Sequence, residues 1–376
     1  MLDLIKIRHD LHQIPETGWQ EKETSEYLNN VITYLINEHK DIEITRYKTG
    51  FVVYIPGTEG KKTIGWRTDI DGLPTNEETG LTFTSKHKGT MHACGHDVHM
   101  AVALGFLEYV LQNKQKNNIL ILFQPAEEDP GGAEEMYDNI IEPKYKVDEF
   151  YAMHDSPEWE PGIITTKTGE LFAGLVALKI EFVGIPGHGA MPHMTRDPLV
   201  AAASFLLEVQ TLISRNLDPL HAEVLTFGTI NGGTAPNSVA KSCDLTGTLR
   251  IGSKQSLEFS KKRIAEIAQG VAQAIDVKVN IEIHDSYYPV INNLEITNKF
   301  INWMRTRTDF KFQEAPITMT SEDYGYIISK VPGMMFWLGV GGKEKGISLH
   351  SSKFSPDENI IIPVVRLIGE YISSIS

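Results

Sequence analysis

The segment "MHACGHDVH" (91–99) places His92, Cys94, His96, Asp97 and His99 in one short stretch. Thiolate, imidazole and carboxylate are the usual ligands of zinc and similar divalent ions. Gly95 removes a side chain between Cys94 and His96 and lets both converge from a turn. The competing explanation is a chance cluster of one structural cysteine and solvated histidines. It is the weaker one, because clustered Cys and His in a chain poor in cysteine point to metal or catalysis.

Two acidic segments could complete such a site. In "FQPAEEDPGG" (123–132), Glu127 and Glu128 follow an apolar run that reads as a buried strand. Ligands of open α/β sheets bind at the carboxyl ends of strands. Adjacent carboxylates point in different directions, so one can bind metal while its neighbour acts as a base. A lone Glu-Glu pair would be a solvated loop; the strand before it and the turn residues Pro130, Gly131 and Gly132 after it favour a site. In "RTDIDGLP" (67–74), Asp69 also ends a strand and could orient a metal-bound imidazole. Asp71-Gly72 reads more simply as turn chemistry. His154 closes "DEFYAMH", and His350 lies in "ISLHSSKF" after a glycine-rich loop (Gly339, Gly341, Gly342). Their places at strand ends raise both above ordinary histidines. His188 and His193 fall in the glycine-rich "GIPGHGAMPH", where a histidine could donate to a developing oxyanion. A surface loop is the simpler reading of that segment taken alone.

The elements that must position these groups follow from periodicity. Helices are expected over residues 2–14, about 21–38, 98–111, 198–214, 256–274, near 294–306, after 320 and from about 358. Strands are expected over 42–47, 51–55, 63–70, 118–123, 148–153, 175–183, 223–230, 238–250, 277–284 and 334–340. "NILILF" (118–123) is apolar throughout, as for a strand buried on both faces. Residues 174–287 carry the order β-α-β-β-α-β of a ferredoxin-like split unit. The expected organisation is therefore an α/β catalytic domain from 1–173 and 288–376, with an inserted α+β domain at 174–287.

Thirty-five basic against 49 acidic residues leave a net charge of −14, which opposes general binding to nucleic acid or to an anionic membrane surface. No nucleotide-binding motif is present. No run approaches the roughly 20 apolar residues of a membrane span. Two cysteines, Cys94 and Cys243, suit a reducing compartment and offer no disulfide framework. The start of the chain lacks the pattern of a signal peptide, so a cytoplasmic protein is expected.

In order, "RTDIDGLP", "HACGHDVH", "FQPAEE", "MHDSPEWEPG", "GHGAMPH" and "LHSSKF" resemble the co-catalytic metallopeptidases and amidohydrolases that include aminoacylases and carboxypeptidase G. The resemblance spans the chain. The Cys-Gly-His-Asp form is similar to the hippurate-hydrolase branch. "QTLISRNLDPL" (210–220), "MTSEDYGY" (319–326) and "MMFWLGVG" (334–341) are most similar to deacetylases within it. The resemblance implies a mixed-sheet, zinc-peptidase-like catalytic domain whose inserted domain serves as lid and dimer contact. It implies one or two divalent ions (Zn, Mn, Co or Ni) held by Cys94, His96, Glu128, His154 and His350. Glu127 matches the general base, Asp69 the carboxylate supporting the metal, and His188 a histidine that reaches the site, often from a partner subunit. Arg67 stands where many members place a metal-binding His, so the five residues named must supply every protein ligand. The implied partners are a small N-acetylated amino acid and a second copy of the chain. Another N-acyl amino acid as substrate, or a metal-binding protein without turnover, stays open at this point.

Overall fold

The computed structural model describes residues 1–220, 223–341 and 346–375, the side chains of 285 and 286 excepted. Gly342 of the expected glycine-rich loop lies outside the described residues. The chain divides into two compact units. The first comprises residues 1–171, 290–316 and 323–376, and the second residues 172–289 and 317–322.

The first unit is α/β, built on an eight-stranded mixed sheet. Across the sheet the strands run Glu43–Tyr47, Gly50–Ile55, Asn118–Gln124, Thr63–Asp69, Glu149–Ser156, Gly333–Gly339, Ile163–Thr166 and Lys311–Glu314. The four from Asn118–Gln124 to Gly333–Gly339 are mutually parallel. Their carboxyl ends therefore open on one edge of the sheet. Asn118–Gln124 sits between two partners and is buried from Ile119 to Gln124, which explains its unbroken apolar run. The helix His96–Gln112 packs on this sheet, and the helices Leu4–His12 and Ile361–Ser374 pack on that helix. Phe51, Trp66, Phe106, Phe123 and Phe336 are among the buried residues of this core.

Most expected elements are present with ends moved by a few residues. The second helix is Lys22–Leu35, shorter at its end than expected. Ile163–Thr166, Gly169–Phe172 and Lys311–Glu314 are strands without a sequence signal. Lys311–Glu314 is a largely exposed sheet edge, held by pairing to Ile163–Thr166 and not by its own pattern.

The second unit holds a four-stranded antiparallel sheet in the order Val224–Gly232, Ser242–Ile251, Gly174–Val183, Lys278–Tyr287. Gly174–Val183 buries alternate residues, and Val176, Leu178, Ile180 and Phe182 share a core with the helices Pro198–Glu208 and Lys254–Ile275. Ser253 caps the latter helix by accepting from the Ser256 amide. The expected strand 238–250 is broken into Ser238–Val239 and Ser242–Ile251, and the short piece pairs with Gly187–His188. Residues 317–322 join this unit, where Arg250 Nη1 donates to Ser321 Oγ at 2.6 Å.

Candidate metal centre

Three loops and the end of one strand meet at the carboxyl ends of the parallel strands in the first unit. Cys94 and His96 flank Gly95, the residue that starts the helix His96–Gln112. Gly95 has φ +90°, and a Cβ there would stand 2.5 Å from Asp155 Oδ2. Only glycine meets both conditions, so the turn anticipated from the sequence depends on it. His154 is carried by the strand Glu149–Ser156. Glu127 and Glu128 follow Ala126, which is left-handed at φ +56°. His350 is left-handed too, at φ +64°, and its amide donates to Ala93 O at 2.8 Å. Such conformations cost of order 1–3 kcal/mol for non-glycine residues and persist where the surroundings enforce them.

The donor atoms converge. Cys94 Sγ lies 3.4 Å from His154 Nε2 and 3.2 Å from His350 Nε2. His350 Nε2 is 3.1 Å from Glu128 Oε1. His96 Nε2 is 3.7 Å from Asp69 Oδ2, 3.8 Å from Glu127 Oε2 and 4.0 Å from Glu128 Oε1. Cys94, His96, Glu127 and His154 are buried, while the His350 side chain keeps 53% of its surface.

Ring orientation shows what the cluster is built for. His96 Nδ1–H donates to Asp71 O at 2.9 Å, and His154 Nδ1–H donates to Asp155 O at 2.8 Å. Each ring thereby turns Nε2 toward the centre of the cluster. Among the described residues His96 Nε2 is buried with no hydrogen-bond partner, and carboxylates surround it. A lone pair aimed at negative oxygens is unfavourable unless a cation sits between them. Protonation answers the same demand: burial pushes His96 down, but Asp69, Asp71 and Glu128 outweigh it and lift the ring to about 10. Burial pushes the Cys94 thiol well up, and the charges of Glu128 and Glu127 push it further. Burial holds His154 neutral, at about 3. Soft and borderline donors of this kind fit zinc and its neighbours. The residues therefore fit a divalent cation, with Cys94, His96, Glu128, His154 and His350 able to hold it.

Asp69 stands behind this set. It is buried and accepts from His99 Nδ1 at 2.7 Å and from Arg67 Nη1 at 2.8 Å. Burial would raise its carboxyl, but His96, His99 and Arg67 hold it well below the usual range. His99, a ligand type in the sequence cluster, instead links Asp69 to Asp155, whose amide donates to His99 Nε2 at 3.0 Å. Asp97 serves structure: Arg8 Nε donates to it at 3.0 Å and His12 Nδ1 at 2.9 Å, tying the first helix to the helix that carries His96. Asp71, read as a turn residue, also accepts from the Glu128 amide at 3.0 Å.

Arg67 and Asp323 have no counterpart among the expected site residues. Arg67 donates to Asp69, to Gln124 Oε1 at 2.9 Å and to Asp323 Oδ1 at 2.9 Å, all out of solvent. Asp323 Oδ2 accepts the amides of Gly132 and Ala133 at 2.8 and 2.9 Å. The signal available was an arginine directly after the apolar Ile64 and Trp66 of its strand, which, if buried, demands acidic partners. His188 lies in the second unit, exposed, on the two-residue strand that pairs with Ser238–Val239. His193 is exposed in the same unit.

Cadmium added to the metal-free protein should produce a thiolate-to-metal absorption band and release protons, because the buried thiol must ionise to bind. Cys94→Ala should abolish the band, and Cys243→Ala should leave it. A band that survives Cys94→Ala would remove Cys94 from the ligand set.

The pattern of Peptidase family M20/M25/M40 matches residues 65–374. N-acetyldiaminopimelate deacetylase from Lactococcus lactis subsp. cremoris (strain SK11) is 44% identical over 373 residues, covering 99% of this chain and 98% of that protein. The enzyme of the same name from Ligilactobacillus salivarius (strain UCC118) is 44% identical over 373 residues, with 99% and 97% covered. The crystal structure of Bacillus subtilis YXEP protein, described as a dinuclear metal binding peptidase from the M20 family, aligns at a TM-score of 0.84 and 28% identity, covering 99% of this chain and 97% of that one. The match runs through every strand and loop that brings a donor to the cluster, and the chain belongs to Peptidase family M20/M25/M40.

Proposed function

We propose that this chain is a metal-dependent amidohydrolase that removes acetate from N-acetyl-LL-2,6-diaminopimelate to give LL-2,6-diaminopimelate, a step toward lysine. The observation that carries the reaction is a buried carboxylate, Glu127, beside a complete set of Cys, His and Glu donors. A site that only stores metal has no use for that extra carboxylate. The substrate is supported by the likeness to the deacetylases over nearly the whole chain. Among the described residues no helix is long and apolar enough to cross a membrane. A reducing cytoplasmic setting agrees with the two free thiols.

A divalent ion (Zn, Mn, Co or Ni), or a pair of them, held by Cys94, His96, Glu128, His154 and His350 would polarise water and the amide carbonyl. Glu127 takes the proton from the attacking water on a carboxylate oxygen and later delivers it to the leaving nitrogen. The C–N bond breaks, the water's hydroxyl stays on the acetyl carbon, and acetate and a free amine leave. Asp69 fixes the charge and orientation of the surroundings through His99 and Arg67. His188 donates to the oxygen that becomes negative as the carbonyl is attacked. The second unit acts as the lid and carries a dimer contact.

Acetate release from N-acetyl-LL-diaminopimelate, compared by kcat/KM with hippurate and simple N-acetyl amino acids, tests the substrate. The diamino acid should lead the panel, and a chelator should abolish turnover. A hippurate preference would place the chain with the other enzymes of its branch. His188→Ala should lower kcat strongly without changing metal content or fold. If His188 acts across the dimer, mixing His188→Ala with Glu127→Gln should partly restore activity, since a mixed dimer then has one site with both residues intact. No return after demonstrated subunit exchange would confine His188 to its own chain or remove it from the reaction.

A further inference from the structure

Glu127 and Glu128 owe their directions to the peptide before them. Ala126 is left-handed at φ +56°, which an alanine adopts only when held there. What holds it comes from the start of the chain. Glu21, fully buried, accepts the Ala126 amide on Oε1 at 2.9 Å. Its Oε2 accepts from Thr49 Oγ1 at 2.7 Å, so both carboxyl oxygens are occupied. The segment leading to Glu21 lies flush on the same loop: a Cβ on Gly18 would stand 2.1 Å from Asp129 O and 2.9 Å from Ala126 Cβ. Farther along, the Glu128 amide is held by Asp71, and those of Gly132 and Ala133 by Asp323. Carboxylates thus grip the loop at three points, and Glu21 takes the one at the strained residue itself.

We propose that Glu21 is a positioning residue for amide hydrolysis: by holding the Ala126 peptide left-handed, it sets the directions in which Glu127 and Glu128 point. Among the described residues the Glu21 side chain hydrogen-bonds Thr49 and the Ala126 amide, not a donor atom of the cluster, and it moves no proton in the reaction. Burial lifts its carboxyl to about 7, against the opposing hydrogen bond from Thr49. A neutral acceptor therefore suits the position, and an amide oxygen can do the same work. The role rests on the amidohydrolase reading, but its effect on Glu128 can be measured without any substrate.

The experiment compares Glu21→Ala, Glu21→Gln and Glu21→Asp in the full chain. Zinc affinity is read by competition with a chromophoric chelator, kcat and KM by acetate release, and folding by circular dichroism. Partners that orient ligands typically cost 10–100-fold in metal affinity or activity when removed, so Glu21→Ala should lose about that much in kcat and bind zinc about tenfold more weakly. KM should stay near wild type, because Glu21 does not touch substrate. Glu21→Gln keeps an acceptor for the Ala126 amide, and Thr49 can turn its hydroxyl to accept from the new NH₂. Both readouts should then return close to wild type. Glu21→Asp keeps the charge but withdraws it from the amide, so it should resemble Glu21→Ala. That variant decides the matter if the alanine protein does not fold. A folded Glu21→Ala or Glu21→Asp protein with unchanged kcat and zinc affinity overturns the proposal. So does Glu21→Gln as damaged as Glu21→Ala, which would mean that charge and not position is required. If the wild type hydrolyses no N-acyl substrate of the panel, hippurate included, the amidohydrolase reading fails. Weaker zinc binding restored by Gln would still establish the positioning.

Discussion

Glu127→Gln is expected to lower kcat by about 10²–10⁴-fold, the usual contribution of a positioned general base, while zinc content stays near wild type. Glutamine has the same shape and still accepts hydrogen bonds, but its amide cannot take a proton from water. Glu127 is buried, with Oε2 3.8 Å from His96 Nε2, and shares a donor group with His96 and Glu128. Glu128 is placed differently, with Oε1 3.1 Å from His350 Nε2 and in one donor group with Cys94. Glu128→Gln should therefore lose metal first and turnover as a consequence. Metal analysis alongside kcat separates the two. Zinc loss in Glu127→Gln with retention in Glu128→Gln would mean that the adjacent carboxylates have exchanged roles.

The donors could be read from the chain because chemistry restricts them. Cysteine and histidine around a glycine, and a glutamate pair after an apolar strand, have few other uses at such spacing. The strand Asn118–Gln124 was readable for a similar reason, since a strand buried on both faces tends to a continuous apolar run, as here from Ile119 to Phe123. What supports the site was harder to see. Arg67 and Asp323 are 256 positions apart and meet at 2.9 Å only because the sheet brings their segments together. Glu21 precedes the helix Lys22–Leu35 and has the composition of an ordinary solvated first turn, yet it is fully buried. A carboxylate's environment is a tertiary property, and local sequence carries little of it. The edge strand Lys311–Glu314 makes the same point for the backbone: its residues suit a loop equally well, and the neighbouring strand decides.

Arg67→Met should destabilise the metal-free protein by about 3–5 kcal/mol, the usual cost of removing one partner from a buried ion pair. Methionine fills most of the arginine's length with apolar atoms, so lost packing contributes little. The loss comes from Asp69 and Asp323, which remain buried without the guanidinium that donates to both. Removal of one cation thus takes the guanidinium from two carboxylates at once, although Asp69 keeps His99 and Asp323 keeps Gln124 and the Gly132 and Ala133 amides. Arg67→Lys should recover only part of it. A single ammonium keeps the charge but cannot reproduce the planar fork that reaches Asp69, Gln124 and Asp323 together. Denaturant titration in the presence of chelator is the appropriate measurement, because a bound ion would stabilise the folded state by mass action and mask the difference. A loss below about 1 kcal/mol, typical of exposed pairs, would mean that water or a proton on one carboxylate replaces the arginine. The consequence for the site runs through Asp323, whose Oδ2 holds the Gly132 and Ala133 amides at the end of the loop that begins with Glu127. Folded Arg67→Met protein should therefore also bind zinc more weakly than wild type, although Arg67 is not in the donor set.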